Sequence, residues 1–333
     1  MKYLTSIWTT LFIVVSLIGL RISDPQLVEE TRLSVFDQYI KSLPVEKSND
    51  IVLINIGESS LETYGQYPWP RQNYAQMISD LRNANAGMIG FTIMFPEADR
   101  FNGDEVFASW IKDNGIILSQ DADASGRSSK APYVGYATFG YSGDVLQLVY
   151  RYNGLITNIE QLESQAWGVG LLNSAPEVDN VTRRIPLMSQ INGDLYPSFA
   201  LETVRAINNK KSYTIKLNET GIEQIVLRPF QIPTDSNGSI WLKWNTEFES
   251  IDYDGSKLPD LKGKTVIIGV TAKGIVPQVS TPDGLKYPHQ LQGNALQTII
   301  SDNPISRPQW MFPLELALMI AGALLIVLSV YYL

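Results

Sequence analysis

Long apolar runs stand at both ends of the chain. Tyr3 to Leu20 and Leu316 to Leu333 are 18 residues each and contain no ionisable side chain except tyrosine. As helices they would be about 27 Å long, close to the roughly 30 Å hydrocarbon core of a bilayer. A surface helix of a soluble protein is apolar on one side only. The pattern therefore predicts two transmembrane helices, within segments 1–21 and 313–333.

The N-terminal run has more than one interpretation. Lys2 followed by an apolar stretch resembles a secretory signal peptide, but the stretch is longer than a usual signal core and no small-x-small cleavage motif follows. We therefore expect an uncleaved signal anchor; a buried helix of a soluble core is the other alternative. Lys2 precedes the run and Arg21 follows it, which mildly favours a cytoplasmic amino terminus. We expect a protein of the inner (cytoplasmic) membrane with an extracytoplasmic, periplasmic domain over residues 22–312.

The C-terminal run carries its polar residues at its start. Trp310 suits an aromatic anchor at the membrane interface, and Glu315 is costly deep in a bilayer, so both belong at the interface. The sequence stops inside the apolar run. We expect the chain to be the front part of a longer protein; the alternative is a genuine C-terminal anchor.

The region between the runs alternates short β-branched segments with helical patterns. In the first helical segment Tyr74, Met77, Ile78 and Leu81 fall on one face. Strand–helix–strand alternation of this kind predicts an α/β fold with a mixed, mainly parallel sheet and flanking helices. The predicted strands are Asp50–Ile56, Gly87–Phe95, Gly115–Ser119 and Lys264–Val270, and the predicted helices are Gln72–Asn83 and Gln290–Ile300.

The sequence pattern in the middle of the chain predicts further strands and one more helix. Val181–Ile191 has the pattern of a strand, Asn192-Gly193 that of a turn, and Asp194–Ile207 that of a helix. Tyr213–Leu227 alternates and contains a Thr-Gly pair, as a hairpin does. Asp121–Lys130 is predicted to be a mobile loop. Without repeats or low-complexity linkers, we expect one domain between the membrane segments.

Charge and composition exclude several classes of function. Lys plus Arg is 26 and Asp plus Glu is 34, so the net charge is −8, which disfavours a nucleic-acid partner. The chain has no cysteine, which excludes disulfides, thiolate metal sites and cysteine nucleophiles. Its one histidine, His289, excludes a multi-histidine metal centre and is expected in a surface loop. We predict no metal and no cofactor.

Two loops that follow predicted strands carry candidate ligands. Thr271 and Lys273 lie in a Gly-Val-Thr-Ala-Lys-Gly segment whose backbone amides and ammonium group suit an anion; the alternative is a turn that merely packs. Glu97 and Asp99 follow another strand and suit a cation or acid–base catalysis, the alternative being a solvated loop. Arg71 is a further binding candidate, or a structural partner of these acids.

Other polar residues of the chain have simpler interpretations. Asn294 stands near the start of a predicted helix, where it is either a cap or a ligand. Arg183 and Arg184 precede a proline on a strand edge, where salt bridges are favoured over phosphate binding. The complete set of candidate ligand-binding residues is Arg71, Glu97, Asp99, Thr271, Lys273 and Asn294, and no catalytic residue is assigned.

A series of short motifs along the chain has a specific joint order and spacing over residues 32 to 310, although each motif alone is weak. The segments are Arg32–Asp37, Ile51–Ile56 with Glu58, Trp69–Arg71, Gly90-Phe91, Phe95–Asp99, Gly168–Leu172, Asp179, Arg183–Leu187, Gly263–Gly274, Thr281-Pro282 and Gly293–Leu296. Together they resemble the second type of CHASE sensory domain, an extracytoplasmic sensor that precedes cyclase and kinase outputs in bacteria.

The chain departs from the family pattern at polar positions. The family usually has an acidic residue where Thr92 stands, and a Glu and a His where Gln290 and Gln292 stand. Its usual Asp after the Gly-x-Thr-Ala-x-Gly loop is not evident. Each change removes an ionisable group from the region where a polar ligand would sit. The family also tends to continue into several membrane helices, whereas this sequence has one, which fits truncation.

The resemblance implies a membrane-bound sensor, a homodimer by analogy with other sensors, that binds an unknown small ligand or an envelope protein. Its partners would be the lipid bilayer and a cytoplasmic output, a nucleotide cyclase or a kinase, outside this sequence. The chain itself would not be an enzyme. Two alternatives are a stand-alone tethered structural or binding protein of the envelope and a surface-anchored hydrolase that uses Glu97 and Asp99. The hydrolase has no G-x-S-x-G nucleophile motif to support it.

Overall fold

A computed structural model describes residues 7–123, 130–301, 305–306 and 310–332. The chain forms two compact units, Met1–Tyr39 with Arg307–Leu333, and Ile40–Ser306. The first is the helical unit and the second is the α/β unit. Tyr3 to Ser6, Leu333 and most of the predicted mobile loop, residues 124–129, lie outside the described residues.

The described residues contain helices and strands in a mixed order along the chain. The helices are α1 (Ile7–Ser23), α2 (Gln26–Ser42), α3 (Glu58–Tyr64), α4 (Arg71–Asn83), α5 (Asp104–Ile111), α6 (Glu160–Glu163), α7 (Phe199–Ile207), α8 (Pro288–Ile300) and α9 (Met311–Tyr332), with a short 3₁₀ turn at Val145–Gln147. The strands are β1 (Glu46–Ile56), β2 (Ile89–Phe91), β3 (Ile116–Asp123), β4 (Gly135–Gly140), β5 (Tyr150–Tyr152), β6 (Gly154–Ile156), β7 (Gly168–Leu171), β8 (Arg184–Pro186), β9 (Met188–Ile191), β10 (Asp194–Pro197), β11 (Ser212–Asn218), β12 (Gly221–Leu227), β13 (Phe230–Pro233), β14 (Ser239–Trp241), β15 (Thr246–Asp252), β16 (Thr265–Val270), β17 (Val279–Thr281) and β18 (Gly284–Lys286).

In the helical unit, α1 and α9 pack against each other. Arg21 near the end of α1 meets Glu315 near the start of α9, with 2.6 Å between Nη2 and Oε2. Within the described part of the chain, no single helix has both the length and the apolar character of a membrane span. Leu11–Ser23 and Gln26–Ser42 meet those criteria together but are bent by 75°, and Met311–Ile326 is a shorter apolar helix.

The α/β unit is built on one seven-stranded sheet. Its strand order is β15-β1-β16-β2-β3-β7, and each of these neighbours is parallel. β6 adds to the end of β3 in the antiparallel direction. At the centre, Ile51 to Ile56 of β1 pairs with Thr265 to Val270 of β16. All four predicted strands belong to this sheet, although β2 is shorter than the predicted Gly87–Phe95.

Helices cover both faces of this sheet. α4 and α5 bury Tyr74, Ile78 and Phe107 against one face, in a cluster that includes side chains of β1, β2, β3 and β16. α7 and α8 pack against the other face. A parallel sheet covered on both sides needs apolar residues without alternation, which is why β16 reads Thr-Val-Ile-Ile-Gly-Val and is buried throughout.

Glycines on the sheet let α7 and α8 approach closely. A Cβ atom on Gly170 of β7 would lie 2.4 Å from the Phe199 Cα, and one on Gly269 of β16 would lie 2.3 Å from the His289 ring. Real Cβ atoms do not approach other atoms this closely, so these positions accept only glycine without movement of a helix. The close packing brings the first turn of α8 onto the sheet.

The remaining strands form smaller sheets, mostly antiparallel. The orders are β10-β9-β5 and β13-β12-β11-β4, with separate pairs β14-β8 and β17-β18. The hairpin predicted over Tyr213–Leu227 is confirmed as β11 and β12. The predicted fold is thus confirmed at the coarser level, a mixed α/β unit with several sheets.

Three expectations about local structure are wrong. Asp121–Asp123 do not belong to a mobile loop, because they form the end of strand β3. Asp194–Ile207 does not form one helix, because Asp194–Pro197 is strand β10 and α7 starts only at Phe199. Asn192 and Gly193 have positive φ values of 51° and 94°, the geometry of a two-residue hairpin turn that pairs β9 with β10. His289 is not in a surface loop: it lies in the first turn of α8 and is fully buried.

We expect Gly170→Ala to lower the free energy of unfolding by about 1–3 kcal/mol, because the new methyl group overlaps the backbone of α7. Gly135→Ala is the matched control, since a Cβ at Gly135 meets no atom within 4 Å. Urea unfolding of the full chain in mild detergent measures both. Equal stability of the two variants would contradict the close packing of α7 on β7.

Candidate functional site

A cleft opens at the carboxyl edge of the central sheet, and we call it the edge cleft. Its volume is about 590 Å³. Its walls come from the ends of four adjacent strands, with Val270 from β16, Thr92 after β2, Asp121 in β3 and Asn173 after β7. In open α/β sheets, ligands bind in the crevice outside these strand ends. The edge cleft is therefore the candidate functional site.

The polar side chains of the edge cleft are held by the sheet itself. Thr92 donates its hydroxyl hydrogen to the Ile268 carbonyl over 2.9 Å. The Asn173 amide both accepts from the Ala122 N–H, over 2.7 Å, and donates to the Ala122 carbonyl, over 3.2 Å. These bonds fix the end of β3 against the residues that follow β7. Asp121, next to Ala122, is thereby fixed in the wall of the cleft.

The Asp121 carboxylate is half-buried. Burial raises its pKa above the ordinary aspartate value, the Ala122 amide and Asn173 act in the opposite direction, and the nearby Asp123 adds to the increase. The sequence predicts a mobile loop at this residue, whereas it lies in strand β3. Asp121 could have been recognised as a site residue from its position near the carboxyl end of a buried strand, because the carboxyl ends of parallel strands meet at one edge of the sheet.

A second, adjoining groove of about 400 Å³ contains three of the predicted site residues, Arg71, Glu97 and Asp99. We call it the loop groove, and it shares Tyr67, Ile93, Met94 and Pro96 with the edge cleft. Arg71 and both acids therefore lie in one groove, although the carboxylate that pairs with the Arg71 guanidinium belongs to neither of them.

Arg71 organises the loop after β2. Its guanidinium lies 3.3 Å from the Asp104 carboxylate, donates to the Glu97 carbonyl over 3.0 Å and stacks on the Phe95 ring at 4.5 Å. The Arg71 and Asp104 side chains are each about nine-tenths buried. Arg71 therefore has a structural role, with Asp104 as its carboxylate partner.

The two acids of the loop groove differ in their hydrogen-bond partners and exposure. Asp99 Oδ2 accepts hydrogen bonds from the backbone N–H groups of Gly103, over 2.9 Å, and Arg71, over 3.3 Å. Glu97 is exposed. Asp99 therefore shapes the turn that leads into α5. The geometry fits a solvated, internally bonded loop better than a paired acid and base.

The Thr271–Lys273 loop lies outside the lining of both clefts. The Thr271 and Ala272 amides donate to the Ile56 carbonyl, and the Lys273 amide donates to the Glu58 carboxylate over 3.0 Å. The Tyr287 hydroxyl in turn donates to the Thr271 carbonyl. Three successive amides are thus already occupied, one of them by a carboxylate. An incoming anion would have to displace Glu58.

Asn294 is separated from the other candidates. It is the seventh residue of α8, not its cap, and its Nδ2 donates to the Gln290 carbonyl over 3.0 Å. It lines a different groove, of about 550 Å³, beside β15.

The two adjacent arginines form the predicted salt bridges. Arg183 pairs with Asp179, and Arg184 pairs with Glu177 and Asp235.

His289 anchors α8 to the sheet. Its Nε2 lies 3.0 Å from Asn55 Oδ1, and the Asn55 amide nitrogen donates to Ser250 and Asp252. Because these donations leave Asn55 Oδ1 as an acceptor, Nε2 carries the hydrogen and the ring is neutral. Burial lowers the pKa of His289 to about 3. Among the described residues, no group of three or more acids and histidines is placed to hold a metal.

We expect Arg71→Ala to lower the free energy of unfolding by about 3 kcal/mol, because it leaves the buried Asp104 carboxylate without its cation. Arg100→Ala is the matched control, since Arg100 lines the same groove but is exposed, and it should change stability by about 0.5 kcal/mol at most. Urea unfolding measures both. If Arg71→Ala were as stable as Arg100→Ala, the structural role of Arg71 would be rejected.

His289 makes stability depend on pH. The folded state keeps the ring neutral down to about pH 3, whereas the unfolded state protonates it near its ordinary pKa of about 6.5. The unfolded state thus binds the extra proton between these values, and stability falls as the pH is lowered. We expect a loss of up to about 1.4 kcal/mol per pH unit below 6, absent in His289→Gln. Urea unfolding of both proteins from pH 7 to pH 5 checks this. If stability fell equally with pH in the unchanged chain and in His289→Gln, the assignment to His289 would be contradicted.

A family model described as the CHASE2 domain matches residues 10–330. No curated protein matched the chain, nor did any solved structure. CHASE2 domains are sensory domains associated with cyclases and kinases, and they are typically extracytoplasmic. The matched region includes α8 and the ends of the four strands β16, β2, β3 and β7 that form the edge cleft. Because the match covers nearly the whole sequence, this chain belongs to the CHASE2 domain family.

Proposed function

We propose that this chain is the extracytoplasmic sensory part of a bacterial transmembrane receptor, with a ligand site in the edge cleft. The CHASE2 match over residues 10–330 carries the proposal, because it spans both units of the chain. The edge cleft adds the physical basis for ligand binding, since about 590 Å³ is within the usual range for small-molecule sites.

The surfaces of α1 and α9 support a membrane anchor. Both helices expose large apolar side chains, including Trp8, at 76%, and Phe12, at 73%, on α1, and Leu318, at 62%, and Leu325, at 67%, on α9. Water disfavours such surfaces, whereas lipid accommodates them. We propose that α1 and α9 cross the inner membrane.

The polar groups of these helices support the same arrangement. Arg21 pairs with Glu315, and its guanidinium also lies 4.9 Å from the centre of the Phe312 ring. Arg21 is near the end of α1 and Glu315 near the start of α9, so the charged pair lies at one end of the helix pair. A charged pair in that position fits a membrane interface better than the bilayer centre.

The ion pair also offers a route for the signal. Arg21 and Glu315 fix the axial position of α1 relative to α9, so a change in one helix is passed to the other. A ligand that favours one of two arrangements would shift their populations. We propose that the shift reaches a cytoplasmic output, a nucleotide cyclase or a kinase, and that the receptor is a homodimer.

The alternative functions have less support. A hydrolase using Glu97 and Asp99 would need Asp99 free to act on substrate, but two backbone amides occupy its carboxylate. A purely structural envelope protein has no need of a cleft at the carboxyl edge of its sheet. Saturable binding of a small molecule in the edge cleft would separate the sensor from the structural protein.

The absence of native cysteine makes the membrane placement directly testable. We expect Lys257→Cys, an exposed position of the α/β unit, to react with a membrane-impermeant maleimide in intact spheroplasts. Lys2→Cys, before the first apolar run, is the matched control and should react only after lysis.

The labelling pattern can also refute the proposal. Protection of Lys257→Cys until lysis would place the α/β unit in the cytoplasm and reject an extracytoplasmic sensor. Equal labelling of both positions in intact spheroplasts would reject a first helix that crosses the membrane. Recovery of the protein in the soluble fraction would reject the anchor itself.

A further inference from the structure

The lining of the edge cleft has a distinctive charge pattern. Among the described residues that form its walls, Asp121 is the single one with a formal charge. Most of the others are aliphatic or proline, such as Leu172, Val276 and Leu291, and Tyr67 adds an aromatic ring. A cleft with one anionic group and no cation in its described lining disfavours phosphates and carboxylates.

Thr92 and Asp121 present hydrogen-bond acceptors to the edge cleft. Because Thr92 uses its hydroxyl hydrogen on the Ile268 carbonyl, its oxygen faces further partners as an acceptor. Asn173 commits its Oδ1 and an N–H to Ala122, and its side chain is also hydrogen-bonded to Asp121. The Asp121 carboxylate accepts only, when ionised. A ligand that pairs with Thr92 and Asp121 must therefore bring hydrogen-bond donors.

The surroundings of Asp121 favour a positive donor over a neutral one. Its carboxylate is half-buried, and the acid Asp123 lies nearby. A cation placed beside Asp121 would offset the cost of burying its charge. Tyr67 in the same lining can add a cation–π contact. The net charge of −8 attracts cations to the protein as a whole.

We propose that the edge cleft binds a small organic cation, a protonated amine on an apolar body, whose ammonium group pairs with Asp121. This inference rests on the proposed function for the ligand's role as a signal, but it concerns the chemistry of the site alone. Thr92 accepts a second ammonium hydrogen, and the aliphatic walls enclose the apolar body.

Three probes with the same apolar body test the ligand class: phenethylamine, 2-phenylethanol and 3-phenylpropionate. They are cationic, neutral and anionic at neutral pH. Calorimetric titration of the full chain in mild detergent should show phenethylamine binding about tenfold more tightly than the alcohol, with the carboxylate weakest. Equal affinities, preference for the carboxylate, or no binding of the amine would each overturn the proposal.

Variants of the full chain then locate the contact. Asp121→Asn should reduce amine affinity about tenfold and leave the alcohol unchanged, whereas Asp121→Glu should keep the preference for the amine. Glu105→Gln is the matched control, because it removes one negative charge from an exposed position outside the lining of the cleft. An equal loss of amine binding in Glu105→Gln and Asp121→Asn would show that the amine responds only to the overall charge of the protein. That result would overturn the proposed contact with Asp121.

Two further outcomes separate this site from the rest. If Asp121→Asn fails to fold, Thr92→Val tests the same contact, and unchanged amine affinity in that variant would reject the acceptor role of Thr92 and with it the proposed pose. Amine binding together with protection of Lys257→Cys from the maleimide would uphold the site and reject the receptor. Labelling of Lys257→Cys in intact spheroplasts, together with no preference for the amine, would uphold the receptor and reject the proposed amine site.

Discussion

The central sheet buries both of its faces, and this constraint determines where chemistry can occur in the α/β unit. β16 and the second half of β1 pair along six residues in the middle of the sheet, and nearly every side chain there is apolar. This paired stretch of the two central strands therefore carries no charged side chain. Because the strands are parallel, one edge collects four carboxyl ends, and the edge cleft forms there.

The same burial explains how α8 is positioned. Gly269 leaves room on β16 for the His289 ring, and Asn55 on the neighbouring strand supplies the acceptor that holds it. The ring is buried among the sheet and helix and stays neutral, because nothing there repays the cost of charging it. Pro288 and Leu291, on either side of His289 in α8, form part of the cleft wall. One polar contact within the core thus places one wall of the site.

Much of the α/β unit could be predicted from the sequence, because buried parallel strands and amphipathic helices leave local patterns. The strand Lys264–Val270 and the helix Gln72–Asn83 were each predicted to within one residue. Contacts between residues that are far apart in the sequence could not be predicted in this way. No local pattern shows that Asp121, Thr92 and Asn173 line one cleft, that a carboxylate accepts from the amide of Lys273, or that His289 faces a glycine. Asp194–Pro197 was mistaken for helix because its strand depends on pairing with β9.

The segment between the two clefts links the candidate site to the loop that Arg71 organises. Thr92 is tied to Ile268 at one end, and Phe95 bonds to Asn158 and Ile159 at the other. Ile93 and Met94 lie between these anchors and line both clefts. A molecule in the edge cleft therefore contacts residues that also form the wall of the loop groove.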